Sequence, residues 1–168
     1  MTAPVGEGRR TAVGIGQVAV TKDPSAVLVA YGLGSCVGVT MFDPAARVVG
    51  MVHVLLPHCE GKEAGPNEPG RYADSGLDAL VARMSELGAR KSRIIVKAAG
   101  GASVLGAANA EKFKIGARNA EAIKERLRHH SLRLAAEDLG GTRGRTMEVH
   151  CATGRTFVRT AASVPNEL

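Results

Sequence analysis

The sequence predicts an α+β fold with helices packed on sheet, and three observations carry that prediction. Valine-rich apolar runs of strand length recur along the chain, joined mostly by tight turns, as in antiparallel hairpins. Two longer stretches repeat apolar residues at three- and four-residue steps, as amphipathic helices do. No internal repeat, low-complexity tract or linker divides the 168 residues, a length suited to one domain with an ordinary core. The domain is expected over residues 11–161, between a disordered tail at 1–10 and a loose tail at 162–168.

Residues 13–20 alternate enough to form a first strand, and residues 21–25 make a turn. Residues 26–31 form a short strand leading into Gly32-Leu33-Gly34-Ser35-Cys36. Asp43-Pro44-Ala45-Ala46 is a turn signal, because Asp favours its first position and Pro fixes φ at its second. A hairpin centred between Pro44 and Ala45 pairs Phe42 with Arg47, Thr40 with Val49, and Cys36 with His53. Residues 58–71 read as a long loop, either a wall of a site or a plain surface excursion. Residues 72–88 read as a helix with Leu77, Leu80, Val81, Met84 and Leu87 on one face. Asp74 is its expected N-cap and Gly88 its stop.

Residues 94–98 are a short buried strand running into Gly100-Gly101-Ala102-Ser103. That tight turn lacks the spacing of a nucleotide loop and is expected to shape a site. Residues 117–129 form the second helix, with Asn119 near its start as a cap or a site residue. Residues 132–136 are a strand, residues 138–145 a glycine-rich turn, and residues 147–151 and 155–159 a last hairpin. The inventory is roughly seven strands and two long helices.

Composition narrows the function. The net charge is +6, from 22 Lys and Arg against 16 Asp and Glu, which suits an acidic partner. Nucleic acid is not expected: there is no Trp, two Tyr and three Phe for stacking, and no helix-turn-helix or zinc-finger pattern. No apolar run approaches the ~18–20 residues of a membrane span. The first residues lack the apolar segment of a signal peptide, so a cytoplasmic location is expected. Cys36, Cys59 and Cys151 are odd in number and widely spaced, which argues against a disulfide framework. No paired spacing marks a zinc site; adjacent His58 and Cys59 leave metal as a minor alternative, and no cofactor is expected.

Cys36 and His53 are the residues with chemistry to offer. Each taken singly fits a packed core, since free cysteine often serves as a small hydrophobe. Together, on one face of a hairpin, they fit a thiol with an adjacent base. Gly34 and its neighbours mark a bend, which leaves main-chain N–H groups beside the thiol for an oxyanion. On these residues alone the packing and catalytic readings both stand.

Several motifs in order carry a resemblance: Leu33-Gly-Ser-Cys-Val37, Asp43-Pro44, His53-Val-Leu-Leu-Pro57, Gly70-Arg-Tyr-Ala-Asp74, Lys97-Ala-Ala-Gly-Gly-Ala102, Ile115-Gly-Ala-Arg-Asn119, Ala136-Glu-Asp-Leu-Gly-Gly141 and Arg145. The pattern resembles the CheD family of bacterial chemoreceptor glutamine deamidases, over residues 12–160. The resemblance implies a three-layer α-β-β sandwich with two main helices on mixed sheets, similar to the catalytic domain of cytotoxic necrotizing factors. It implies hydrolysis of glutamine side chains to glutamate on methyl-accepting chemotaxis receptors. A CheC-type phosphatase is the implied partner, and no metal or organic cofactor is needed. Cys36 becomes the nucleophile and His53 the base. Gly34, Ser35, Gly100 and Gly101 shape the site or hold the oxyanion, and Ser103 and Asn119 are candidate substrate-binding residues.

One departure stands out. The family's threonine six residues before the cysteine is Ala30 here. The Ala30 backbone carbonyl can orient the imidazole in its place. Tyr31 or Thr40 are the alternatives, and a non-catalytic adaptor is the competing reading.

Overall fold

The computed structural model describes residues 8–104 and 110–168. Among these residues the chain forms ten strands and two α-helices. One sheet runs β2 (Val18–Thr21), β5 (Val48–Val54), β4 (Val37–Asp43), β6 (Ile95–Gly100), β7 (Leu134–Leu139). The other runs β1 (Arg9–Ala12), β3 (Ala26–Leu33), β8 (Arg145–His150), β9 (Thr156–Arg159), β10 (Asn166–Glu167). Helices α1 (Ala73–Glu86) and α2 (Ala110–His129) cover the outer face of the first sheet. The order of layers is therefore α-β-β, with two mixed sheets, as expected.

Strand alternation sorts the residues of β4 and β5 between two cores. Val37, Val39, Met41, Val48, Val52 and Val54 face Leu77, Leu80, Met84, Ile123 and Leu127 of the helices. Burying each such side chain contributes about 1.5–3 kcal/mol. Val49 and Met51 face the opposite way, joining Leu28, Ala30, Leu33, Met147 and Val149 between the sheets, and Cys36 packs there too. Gly50 lets α1 lie close: a Cβ there would meet the Leu80 side chain at 2.6 Å.

The hairpin register differs from expectation. Asp43 pairs with Val48, Phe42 with Val49, Thr40 with Met51, and Gly38 with His53. The loop is four residues, centred one position later than proline alone suggests. Asp43 Oδ1 accepts hydrogen bonds from Ala45 N at 2.9 Å and Ala46 N at 3.1 Å, and Arg47 takes a left-handed φ of 56° to close the turn. The pairing moves by two residues in all, so each side chain keeps its face.

Other boundaries move for physical reasons. The expected first strand divides, because Gly14 and Gly16 (φ 79°) break it where the chain crosses from one sheet to the other. Of the tail expected at 1–10, residues 1–7 lie outside the described residues, while Arg9 and Arg10 pair in parallel with β3. The end of the chain is not loose: Asn166 and Glu167 pair with β9, and the Leu168 carbonyl accepts a hydrogen bond from Lys97 Nζ at 2.6 Å.

Helix α1 ends as expected, with Gly88 at φ 97° and bonds from Gly88 N to Ser85 O and from Ala89 N to Met84 O. Its N-cap is Tyr72, without a side-chain bond. Asp74 instead receives Cys59 N–H at 3.2 Å. Helix α2 begins at Ala110, seven residues before the expected start. Gly116 hides that start, since glycine disfavours a helix interior by roughly 0.5–1 kcal/mol. Contact requires it: a Cβ at Gly116 would lie 2.6 Å from the Gly101 carbonyl.

Candidate active site

The site lies at the open end of the β4–β5 hairpin, where the two sheets and α2 meet. Cys36 precedes β4 and is buried, with 7% of its surface exposed. His53, near the end of β5, is 2% exposed. Because His53 pairs with Gly38, Cys36 is its diagonal neighbour on the same face and not its direct opposite. Such diagonal neighbours lie roughly 7–8 Å apart at Cα, within reach of a side-chain rotation.

Glycine backs the thiol on two sides. Gly100 has φ 115°, and a Cβ there would sit 2.2 Å from the Cys36 carbonyl, so only glycine fits. Gly101 N donates to Cys36 O at 2.9 Å, and Ala102 N donates to Gly34 O at 2.8 Å. These bonds zip the turn after β6 onto the nucleophile loop. They also commit the Gly101 N–H, which therefore shapes the site and is not free for an oxyanion. Gly34 N is used as well, donating to Gly32 O at 3.0 Å. The N–H groups of Ser35 and Cys36 donate to no other residue among the described residues.

The imidazole is held by the backbone, though not by the expected carbonyl. His53 Nδ1 donates to Val13 O at 3.0 Å, and neither Ala30, Tyr31 nor Thr40 is a partner. Ala30 lies across the sheets beside Gly38, 3.7 Å from where a Cβ would stand. Thr40 instead faces Thr156, with the hydroxyls 3.4 Å apart, and Tyr31 is half exposed. Val13 reaches His53 because the crossing segment is pinned on both sides. Val13 N donates to Val29 O, Gly16 N to His53 O, and His53 N to Gln17 O. The sequence signal for this was the pair Gly14 and Gly16, read only as part of a strand.

A carbonyl partner fixes the tautomer. Val13 O can only accept, so Nδ1 carries the proton and Nε2 presents its lone pair. Nε2 is buried and has no hydrogen-bond partner among the described residues. Burial pushes the His53 pKa down, partly offset by the Val13 carbonyl. Burial pushes the Cys36 thiol up, partly offset by its own backbone N–H. Both shifts favour the neutral form of each group.

Asn119 is not a helix cap: it sits midway along α2, fully buried. Its Nδ2 donates to Ser35 O at 2.8 Å and to Leu55 O at 3.0 Å, tying the approach to Cys36 to the exit from His53. Ser103 is half-buried, with its N–H donating to Gly141 O at 2.9 Å. The structure thus brings together Cys36, His53, Gly34, Ser35, Gly100, Gly101 and Asn119. It adds Val13, Ala102 and Gly116, which sequence reasoning missed.

A buried thiol and a base-competent imidazole on one face of the hairpin, in an α-β-β sandwich, define a candidate cysteine-dependent site. The family model described as CheD chemotactic sensory transduction matches residues 55–160. The probable chemoreceptor glutamine deamidase CheD of Symbiobacterium thermophilum is 47% identical over 95% of this chain and 98% of its own length. The chemoreceptor glutamine deamidase CheD of Thermotoga maritima is 45% identical over 88% of this chain and 89% of its own. The probable chemoreceptor glutamine deamidase CheD of Archaeoglobus fulgidus is 40% identical, over 90% and 94%. This chain belongs to the CheD family.

Proposed function

We propose that this protein is a chemoreceptor glutamine deamidase, a protein-glutamine glutaminase that turns receptor glutamine side chains into glutamate with release of ammonia. Close relatives across most of the chain carry that name. The observation that carries the chemistry is the held imidazole, with Nδ1 on Val13 O and Nε2 unpartnered among the described residues, on the hairpin face that Cys36 shares.

On substrate entry, His53 Nε2 takes the Cys36 proton as the sulfur attacks the carboxamide carbon. Backbone N–H groups at Ser35 and Cys36 receive the oxyanion. His53 returns the proton to the leaving nitrogen, and ammonia departs as the C–N bond breaks to leave a thioester. Water, deprotonated by His53, attacks the thioester; the C–S bond breaks, glutamate forms, and the thiol regains its proton. No step draws on a metal or organic cofactor. Ser103 is a candidate substrate contact at the edge of the site. The chemistry needs a reduced thiol, and all three cysteines are free, which fits the cytoplasm.

Mass spectrometry of receptor peptides tests the reading. Wild-type protein should add about one mass unit per deamidated glutamine, and Cys36→Ala none. Equal conversion by both would end it. The competing reading is a non-catalytic adaptor for a CheC-type phosphatase or the receptor, favoured by the missing hydroxyl at Ala30. Ammonia release dependent on Cys36 decides against it as the whole function.

A further inference from the structure

We infer that Asn119 is a positioning residue for the oxyanion: by drawing the Ser35 carbonyl onto α2, it aims the N–H of the same peptide, that of Cys36, at the reacting carbonyl oxygen. The inference rests on Cys36 being the nucleophile. It comes from the geometry of one peptide unit. Every described peptide bond is trans, so a carbonyl and the following N–H point in opposite directions. Asn119 Nδ2 holds Ser35 O at 2.8 Å, which turns the Cys36 N–H away from the helix. That N–H belongs to the nucleophile itself, so it is at hand for the oxygen on a carbon bonded to the Cys36 sulfur.

The preceding peptide follows the same logic. Ala102 N holds Gly34 O, so the Ser35 N–H also turns away from the turn that backs the loop. The two unspent N–H groups thus belong to the two peptides whose carbonyls are pinned from behind. Asn119 suits the task because both of its partners are carbonyls, and its NH₂ supplies two donors without a charge. Its second bond, to Leu55 O, references the loop to the strand carrying His53. The cost of the arrangement is visible: Asn119 Oδ1 is buried with no partner among the described residues. A residue chosen for packing alone would not leave a buried acceptor unserved. Gly116, one turn earlier, brings the helix close enough for the reach.

The test compares the full-length wild type with Asn119→Ala and the near-isosteric Asn119→Asp. Each is assayed for ammonia release from purified receptor and for alkylation of Cys36 by iodoacetamide, mapped by peptide mass. Alkylation needs the thiolate but forms no oxyanion. Losing one aimed donor should lower kcat by about 10²-fold, with KM and the Cys36 alkylation rate within about threefold of wild type. A kcat within about threefold of wild type, or alkylation falling in step with kcat, overturns the inference. Amide temperature coefficients in labelled wild-type protein add a readout independent of variant folding: Ser35 and Cys36 should read as free N–H groups, and a hydrogen-bonded value at Cys36 also overturns it. Ammonia release that survives Cys36→Ala defeats the underlying reading instead, whatever Asn119 does.

Discussion

The two ends of the β4–β5 hairpin bury polar groups in opposite ways. At the turn end, Asp43 is fully buried and its carboxylate is saturated: it accepts from Ala45 N, Ala46 N, Arg90 N and the Arg93 guanidinium. At the open end, His53 is almost as buried, yet only one ring nitrogen is served. Asn119 alongside likewise keeps an unserved oxygen. The two ends thus differ in how completely their buried polar atoms are bonded among the described residues. Full satisfaction fixes a turn; partial satisfaction leaves a lone pair free to take a proton.

Breaking the open end should cost activity and spare the fold. His53→Asn removes the base and should lower kcat by about 10²–10⁴-fold, read as ammonia release, while thermal unfolding barely moves. Breaking the turn end should do the reverse. Asp43→Ala leaves Arg93 and three N–H groups without their acceptor and should cost about 3 kcal/mol in denaturant unfolding, with kcat per folded molecule retained.

Acid separates the two ends further. Burial by itself would raise the Asp43 pKa, but Arg93 and the three N–H groups outweigh it and hold the carboxyl well below its usual range. Its stability contribution is present above the ordinary carboxyl pKa of about 3.9 and is lost as pH falls through the lowered folded value. Asp43→Ala should flatten that part of the stability curve. His53 is also lowered, so its contribution is present above an unfolded pKa of about 6.5 and fades as pH falls toward the folded value. Activity should rise with pH as His53, lowered from 6.5, loses its proton, and level off before the raised Cys36 thiol ionises. A kcat/KM that keeps climbing about tenfold per pH unit between pH 7 and 9 would contradict His53 as the base.

Smaller effects sharpen the contrast. Gly116→Ala forces α2 off the Gly101 carbonyl and should cost about 1–3 kcal/mol in stability, with some loss of activity through the displaced nucleophile loop. Ala30→Thr restores the family hydroxyl beside the site. With Val13 already orienting the imidazole, kcat should stay within about threefold of the starting protein. A gain of ten- or a hundredfold would mean that the Val13 carbonyl does not suffice.

Much of this was legible from residues alone. Valine-rich alternation, Asp43-Pro44 and the helical steps of Leu77, Leu80 and Met84 yield the α+β class and the hairpin, while the three-layer order follows from the family resemblance. Parity survived the register error, so Cys36 and His53 still share a face. What sequence periodicity does not encode is contact across the fold. The partner of His53 is a main-chain oxygen forty residues away, and every residue type carries one. Residues 110–116 stayed outside the expected helix because local propensity counts glycine against one, whereas at Gly116 close approach to another backbone decides it. Asn119 looked like a cap for the same reason, since the helix start was placed too late.

The crossing segment at Val13 gives this protein an unusual mutational tolerance. A carbonyl that steers the general base cannot be deleted by changing one codon; any amino acid at position 13 would supply it, provided the two sheets stay stitched through Val29 and Gly16.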